Sequence, residues 1–158
     1  MVTLIGMGSG SWEALSAQAQ DAVRRAGLVF GAKRLLAGLP PECTARQFAL
    51  YQPAEILETL AQAPGQDAAV LYSGDTGFYS GASGLLTPLR ALGIPARVYP
   101  GVSSIQLLAA ALGRPWQDWK LVSAHGCACD PVAQCMTERS VFFLTGGAET
   151  PATLCRKL

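Results

Sequence analysis

Short apolar runs that end in glycine-containing loops, each followed by a helical pattern, are the feature that most constrains this fold. Residues 2–5 form a β-rich apolar run that stops at the glycine loop of residues 6–10, and residues 68–72 form another that stops at Gly74. Behind the first loop, Ser16 is a candidate N-cap for a segment with apolar residues at helical spacing. This alternation predicts an α/β fold with a largely parallel sheet and helices on both of its faces.

The same pattern continues along the chain and predicts the remaining elements. Further strands are predicted at residues 28–30, 96–99, 120–123 and 141–144, and helices at residues 17–26, 32–37, 53–60, 84–92, 104–112 and from 151 onward. The last of these helices has Thr150 as a candidate N-cap and Pro151 at its first position.

Residues 113–116, with the sequence Gly-Arg-Pro-Trp, interrupt a helical pattern and precede a new strand. We therefore predict a domain boundary here, with an N-terminal α/β domain at residues 1–113 and the start of a C-terminal α/β domain at residues 114–158. The second segment holds two predicted strands and the beginning of one helix, which is too little chain to bury a core of its own. We expect the C-terminal domain to be truncated in this chain.

Charge is balanced in this sequence. It contains 12 Lys and Arg residues and 11 Asp and Glu residues, with a formal net charge of +1, so it creates no long-range field that would attract nucleic acid or an anionic membrane. No apolar run approaches the about 18 residues that span a bilayer, and no basic segment precedes an apolar one at the start. We expect a cytoplasmic protein without nucleic-acid or membrane partners.

The five cysteines are an odd number, which fits reduced thiols better than a set of disulfides. His125, Cys127, Cys129 and Cys135 lie close together in sequence and suggest a metal site, because thiolates and imidazole suit zinc or copper. Structural zinc sites, however, have about two to four residues between paired cysteines, and no second pair follows here. We therefore predict that no metal is bound.

Three glycine-containing loops directly follow predicted strands, at residues 6–10, 74–79 and 100–104. In an open parallel sheet, ligands bind beyond the carboxyl ends of the strands, so these loops form the candidate binding site. The first loop resembles a dinucleotide fingerprint only in part, because its third glycine has the wrong spacing and Gly31 stands where an acidic residue is expected. A nicotinamide or flavin site is disfavoured, and the alternative is that these glycines only permit a tight turn.

The second and third loops carry polar groups that each have two possible roles. Asp75 can accept a hydrogen bond from an ammonium group or face a sulfonium, or it can cap the following helix. Ser103 and Ser104 precede a helical pattern, where hydroxyls and free N–H groups can bind a carboxylate or simply cap the helix. The local sequence leaves these alternatives open.

Taken together, five segments resemble the tetrapyrrole methylase family across essentially the whole chain. They are the glycine loop at residues 6–10, Ser-Gly-Asp-Thr-Gly-Phe-Tyr at 73–79, Pro-Gly-Val-Ser-Ser at 100–104, Gly-Arg-Pro-Trp at 113–116 and Ser-Ala-His-Gly at 123–126. Within the family, the last two segments resemble the branch that methylates carbon 5 of a precorrin.

The resemblance implies a two-domain enzyme, usually a homodimer, that transfers a methyl group from S-adenosylmethionine to a corrinoid precursor and releases S-adenosylhomocysteine. It also implies a possible decarboxylase partner, either as a fused domain or as a separate protein. By position, the resemblance places these residues in the S-adenosylmethionine pocket: Ser9, Gly74, Asp75, Phe78, Ser103, Ser104, Leu144 and Thr145.

Two positions depart from the family pattern. Ser9 stands where family members usually have Pro, so the shape of the first loop is expected to differ. Cys127 follows His125-Gly126 where the carbon 5 branch tends to have Arg, which removes a cation that could meet a substrate carboxylate. Because relatives continue for several tens of residues, we also expect this chain to bind S-adenosylhomocysteine more weakly than a version of family length.

Methyl transfer from a sulfonium to an electron-rich carbon requires positioning and exclusion of water more than it requires a strong base. His125, the only histidine, is the candidate catalytic residue: it could orient a substrate carboxylate, accept a proton, or be structural. Two other functions stay open, methylation of another ring carbon and ligand binding without turnover. The cations available to substrate carboxylates are Lys33, Arg34, Arg46, Arg97, Arg114 and Lys120.

Overall fold

The computed structural model describes residues 1–126, 129–137 and 139–158, in which strands and helices alternate. The strands are β1 (Val2–Gly6), β2 (Leu28–Gly31), β3 (Arg46–Phe48), β4 (Ala68–Tyr72), β5 (Ala96–Tyr99), β6 (Lys120–His125) and β7 (Val141–Gly146). The α-helices are α1 (Ala17–Arg25), α2 (Lys33–Leu36), α3 (Pro53–Ala61), α4 (Ala82–Ala91), α5 (Ser104–Leu112), α6 (Pro131–Thr137) and α7 (Pro151–Lys157). None of these described helices is long and apolar enough to cross a membrane.

The chain divides into two compact units, Met1–Ser103 and Ser104–Leu158. The division lies at the start of α5, whereas the sequence predicts a domain boundary after residue 113. Helix α5 does end where the sequence predicts, because the N–H groups of Gly113 and Arg114 turn back to the carbonyls of Ala110 and Ala109, each at 3.1 Å. The end of a helix and the limit of a compact unit are therefore at different positions, and domains at residues 1–113 and 114–158 stay a prediction.

The first unit is built on a five-stranded parallel sheet in the order β3-β2-β4-β1-β5. The chain leaves β1 towards β2 and leaves β4 towards β5, which are opposite directions in the sheet. Right-handed crossovers then place α1 and α2 on one face and α3 and α4 on the other, as the two apolar cores show. The predicted α/β fold with helices on both faces is confirmed. The position between β1 and β4 is a topological switch point, where sheets of this kind bind ligands.

An apolar core on each face of the sheet fixes these layers. On one face, Ile5 packs with Val23 of α1. On the other face, Leu4 packs with Ile56 of α3 and Leu85 of α4, because neighbouring strand residues point to opposite faces. All five side chains are 0% exposed, and burial of each contributes about 1.5–3 kcal/mol to the free energy of unfolding. The carboxyl ends of β1 and β4 therefore emerge from a rigid scaffold.

Both N-caps that the sequence predicts outside the candidate site are confirmed. The Oγ atom of Ser16 accepts a hydrogen bond from the Ala19 N–H group at 3.3 Å, at the start of α1. Before α7, Thr150 Oγ1 accepts from the Thr153 N–H group at 3.2 Å, and Thr153 Oγ1 accepts from the Thr150 N–H group at 2.8 Å. This is a reciprocal capping box, and Pro151 is the first residue of α7, as predicted.

The second unit contains a parallel pair of strands, β6 and β7, which are in register from Lys120 opposite Val141 to His125 opposite Gly146. Both strands continue past the predicted ends at residues 123 and 144. His125 is therefore the last residue of β6 and does not lie on a loop. Leu144 and Thr145 lie within β7 and not at its end. The additional length comes from pairing between the two strands, which the local apolar pattern does not encode.

Strand β3 and helix α6 were not expected from the sequence. Strand β3 has only three residues, of which Arg46 and Gln47 are exposed, and it is a strand because it pairs with β2 at the edge of the sheet. Helix α6 begins after Asp130, whose Oδ1 atom accepts a hydrogen bond from the Ala133 N–H group at 3.2 Å. The Asp130-Pro131 pair is a recognisable helix start, and this signal could have predicted α6.

Candidate functional site

The first and second glycine loops, residues 6–10 and 73–79, are joined at the switch point. The Met7 N–H group donates to the Tyr72 carbonyl oxygen at 2.8 Å, at the point where β1 and β4 end. Gly8 and Gly74 then exchange two hydrogen bonds, at 3.0 and 2.9 Å, and form a short antiparallel bridge. The two loops therefore form one connected backbone surface beyond the carboxyl edge of the sheet.

The third loop, residues 100–103, packs against this surface backbone to backbone. A Cβ atom built on Gly6 would lie 2.6 Å from the Gly101 nitrogen and 2.7 Å from the Gly74 oxygen. A Cβ atom built on Gly101 would lie 2.5 Å from the Gly6 oxygen and closer still to the Gly74 oxygen. Real Cβ atoms essentially never approach backbone this closely, so the convergence of the three loops requires glycine at Gly6 and Gly101.

Asp75 ties the second loop to the third loop. Its Oδ2 atom accepts a hydrogen bond from the Gly77 N–H group at 3.1 Å, and its Oδ1 atom accepts one from the Gly101 N–H group at 3.2 Å. Helix α4 begins at Ala82, whose N–H group donates a hydrogen bond to Ser80 Oγ at 3.2 Å, so the interpretation of Asp75 as the cap of the following helix is wrong. The carboxylate instead fixes the spacing of two loops that are distant in sequence.

Two aromatic residues end the second loop. The rings of Phe78 and Tyr79 meet edge to face, with centroids 4.9 Å apart and an interplanar angle of 70°. Tyr79 has φ of 48°, in the left-handed region that a bulky side chain rarely adopts, and is 51% exposed. Backbone strain of this kind concentrates at ligand-binding sites, where the surrounding structure maintains it.

Arg34 of α2 brings a positive charge to the same edge. Its guanidinium group donates a hydrogen bond to the Ser73 hydroxyl at the start of the second loop. Its Nη1 atom also lies 3.4 Å from the position that a Cβ atom on Gly10 would occupy. Tyr72, which precedes Ser73, faces the opposite way into the core under α4, and burial raises the pKa of its phenol to about 12.

The predicted site residues fall in both units. In the first unit, the structure brings together Gly74, Asp75 and Ser103: the Cα atom of Ser103 is 4.0 Å from the position of a Cβ atom on Gly74, and Ser103 is only 4% exposed. Ser9 is exposed on the first loop and Phe78 lies on the second loop. In the second unit, the predicted residues are Ser104 at the start of α5, His125 at the end of β6, and Leu144 and Thr145 in β7.

His125 lies against its partner residue in the neighbouring strand. The imidazole Nδ1 atom occupies the space where Gly146 would carry a Cβ atom. Gly146 therefore sets the orientation of the only histidine, at the carboxyl end of β6.

The described residues include no group of three or more His, Cys, Asp or Glu side chains that could hold a metal ion. Cys43, Cys129, Cys135 and Cys155 are free thiols. Cys127, which belongs to the cluster considered from the sequence, lies outside the described residues. The absence of a resident metal stays a prediction.

Comparison with known proteins identifies the family. The family model described as Tetrapyrrole (Corrin/Porphyrin) Methylases matches residues 1–158. The chain belongs to the tetrapyrrole methylases. The family predicted from the five sequence segments is confirmed. Tetrapyrrole methylases use S-adenosylmethionine as the methyl donor.

Three relatives illustrate the range of this tetrapyrrole methylase family. A cobalt-precorrin-7 C(5)-methyltransferase of Salmonella typhimurium is 32% identical over 160 residues, which are 100% of this chain and 77% of that protein. A precorrin-4 C(11)-methyltransferase of Rhodococcus erythropolis is 32% identical over 120 residues, which are 72% of this chain and 48% of that protein. The uroporphyrin-III C-methyl transferase of Thermus thermophilus in complex with S-adenosylhomocysteine has a TM-score of 0.61 and 24% identity, over 78% of this chain and 55% of that chain.

The sequence predicts the three loops but not two features of the site. It does not show that Gly6 and Gly101 are packed against each other, and it does not distinguish Arg34 from the five other available cations. The signal for the first feature was a glycine after each of two strands that are neighbours in the sheet. No local signal distinguishes Arg34, because its position depends on how α2 packs.

Proposed function

We propose that this chain is an S-adenosylmethionine-dependent methyltransferase that acts on carbon 5 of a precorrin. The observation that carries the proposal is the convergence of three glycine loops at the switch point of a parallel sheet, in a chain that belongs to the tetrapyrrole methylases. Carbon 5 is supported by the Salmonella relative, which matches this chain over its whole length. Precorrin-6Y or cobalt-precorrin-7 is the corresponding substrate.

The backbone of the loops supports this proposal. Gly8 and Gly74 adopt φ of 56° and 63°, and a Cβ atom on Gly74 would meet only the Ser103 Cα atom within 4 Å in the described part of the chain. A ligand can therefore approach the backbone beside Gly74 directly. In this proposal Ser9, Phe78 and Ser103 line the opening and supply two hydroxyls and one aromatic ring.

Asp75 has a double role in this proposal. Both of its oxygens accept backbone hydrogen bonds, which hold the second and third loops at the spacing of the pocket. Each carboxylate oxygen has a further lone pair, and Asp75 is only half-buried, so the same group can accept a hydrogen bond from the ammonium group of the donor.

S-adenosylmethionine supplies an electrophilic methyl group on a sulfonium, and the chain supplies position and a site that excludes water. The rigid carboxyl ends of β1 and β4 carry the loops, so little reorganisation is needed when a ligand binds. In the second unit, His125 is the candidate for orienting a substrate carboxylate or accepting the proton that leaves the substrate. Ser104, Leu144 and Thr145 are further candidates for contacts with the donor.

A second candidate within the family is methylation of a different ring carbon. It is favoured by the Rhodococcus relative, which methylates carbon 11 of precorrin-4 according to its name and has the same 32% identity over a shorter segment. The loops that bind the shared donor do not distinguish the two reactions. Incubation of each precorrin with a methyl donor labelled with ¹³C, followed by NMR of the product, identifies the carbon.

Calorimetric titration with S-adenosylhomocysteine tests the proposed site. Gly74→Ala and Gly93→Ala carry nearly the same backbone strain, because the two glycines have φ of 63° and 67°. Of these two glycines, Gly74 lies at the three loops, whereas a Cβ atom added to Gly93 has no atom of the described residues within 4 Å. We expect Gly74→Ala to weaken binding at least tenfold, which is about 1.4 kcal/mol, and Gly93→Ala to bind like the wild type.

The role of the Asp75 carboxylate is tested with a matched pair of variants in the same calorimetric assay. Asp75→Ala is expected to weaken binding of S-adenosylhomocysteine by about 1–3 kcal/mol. Asp67→Ala removes a carboxylate that contacts the Met1 ammonium group at the opposite edge of the sheet, and should leave binding unchanged. Wild-type affinity in both Gly74→Ala and Asp75→Ala would place the donor elsewhere and contradict the proposal.

A further inference from the structure

Arg34 spans the first and second loops at their open side. Its guanidinium group donates to Ser73 Oγ on the second loop, and Nη1 stands 3.4 Å from the Cβ position of Gly10 on the first loop. Both Arg34 and Ser73 are exposed, so the guanidinium donors that Ser73 does not occupy are accessible to solvent beside the two loops. Gly10 keeps this space open, because it has no side chain to compete with the arginine.

No carboxylate in the described part of the chain neutralises Arg34. The ion pairs found there join Met1 to Asp67, Arg24 to Asp21 and Lys157 to Glu149. Asp75, the one acidic residue in the sequence of the three loops, accepts backbone N–H groups with both oxygens, and Ser73 offers Arg34 only a neutral hydroxyl. Within the described residues, Arg34 is therefore a cation without a carboxylate partner, and it lies beside the opening of the candidate pocket.

A planar guanidinium group has five N–H donors in a fixed fork that matches a carboxylate, and one hydroxyl oxygen accepts hydrogen bonds from only some of these donors. We propose that Arg34 binds a carboxylate group of a ligand held at the three glycine loops. This inference rests on the proposed function, which offers two sources of the group: the acid side chains of the tetrapyrrole, or the amino-acid carboxylate of the methyl donor. Ser73 is then the positioning residue that directs the fork towards the opening.

Two probes distinguish the sources. S-adenosylhomocysteine carries only the donor's carboxylate and is measured by calorimetry. Uroporphyrin, a stable octacarboxylate tetrapyrrole, is measured by the change in its fluorescence, and a cationic porphyrin of similar ring size reports binding that does not involve carboxylates. Each probe is titrated into the full chain, and the folded state of every variant is verified by circular dichroism.

The variants separate charge from geometry. Arg34→Gln removes the cation, Arg34→Lys keeps the charge but loses the fork, and Arg25→Gln removes an exposed arginine that lies near Met1 and Asp67 at the opposite edge. We expect Arg34→Gln to weaken one of the two carboxylate probes at least tenfold and the other less than about threefold, with Arg34→Lys intermediate and Arg25→Gln unchanged. The weakened probe identifies the source of the carboxylate.

Each remaining outcome decides a different claim. If the wild type binds S-adenosylhomocysteine and Arg34→Gln binds both carboxylate probes with wild-type affinity, the role of Arg34 is refuted and the proposed function stands. If the wild type binds only S-adenosylhomocysteine, an unchanged affinity of Arg34→Gln for that ligand is sufficient to refute the role. If the wild type does not bind S-adenosylhomocysteine, the proposed function fails, and the inference fails with it. Should Arg34→Gln be unfolded, the same comparisons apply to Arg34→Lys.

Discussion

Gly101→Ala tests whether the packing of the third loop on the first two loops maintains the site. The added methyl group would lie 2.5 Å from the Gly6 carbonyl oxygen, whereas ordinary contacts begin at 3.4 Å, and both partners are backbone that cannot rotate away. Overpacking of this kind costs about 1–3 kcal/mol. Movement of the third loop would also lengthen the 3.2 Å hydrogen bond from Gly101 to Asp75, and a hydrogen bond to a charged group contributes about 1.5–3 kcal/mol.

Since the loop can relax to avoid part of both costs, we expect the free energy of unfolding to fall by about 3 kcal/mol. Urea unfolding followed by circular dichroism measures this change, and for a slope of about 2 kcal/mol per molar urea the midpoint falls by about 1.5 M. The same variant should bind S-adenosylhomocysteine at least tenfold more weakly, because the Asp75 carboxylate loses the partner that positions it.

Gly84→Ala is the matched control. Gly84 is exposed within α4, and among the described residues an added Cβ atom would meet only Pro53 Cγ, at an ordinary 3.7 Å. Replacing glycine by alanine inside a helix stabilises it, so the free energy of unfolding should rise by about 0.5–1 kcal/mol with no change in ligand binding. A Gly101→Ala variant as stable as Gly84→Ala, with wild-type affinity, would refute the reasoning about the close approach of the loops.

Three further outcomes are expected. Burial raises the pKa of Tyr72 to about 12 from the ordinary 10.0, so the contribution of its neutral phenol to stability is complete below pH 10 and is lost as the pH rises towards 12. Tyr72→Phe should remove that loss of stability in urea titrations at high pH. The hydrogen bond from Lys157 lowers the pKa of Glu149 below its ordinary 4.5, so this pair stabilises α7 above pH 4.5 and ceases to do so as the pH falls below that value. Glu149→Gln should abolish this pH dependence in acid unfolding. We expect a homodimer, as the resemblance to the family implies, with a mass of about 33 kDa, twice the 16.5 kDa of one chain. Size-exclusion chromatography with light scattering measures this mass, and the mass of a single chain would contradict the expectation.

The sequence predicted those parts of the fold that depend on local pattern. Apolar runs predicted β1, β2, β4 and β5, and the Ser16 and Thr150 caps followed from side chains that bind their own helix. Strand β3 was missed because Arg46 and Gln47 carry no apolar signal, and it is a strand only because β2 pairs with it. The ends of β6 and β7 were missed for the same reason.

The candidate site, like the fold, could be predicted only where it depends on local sequence. Glycine after a buried strand predicted where the loops lie. The local sequence could not show whether Asp75 caps the next helix or binds a residue on the third loop, because that depends on the strand order, in which β4 and β5 both pair with β1. The placement of Arg34 beside Ser73 likewise depends on the packing of α2, which brings a helix residue to the second loop.

Amide hydrogen exchange with and without S-adenosylhomocysteine tests most directly whether the donor binds where the three glycine loops converge. Saturating ligand is expected to slow exchange in peptides that cover residues 6–10, 73–79 and 100–104. Exchange in peptides that cover residues 61–66, at the opposite edge of the sheet, should not change. Bound ligand that leaves the three loops unprotected, or that protects only segments remote from them, would contradict the account.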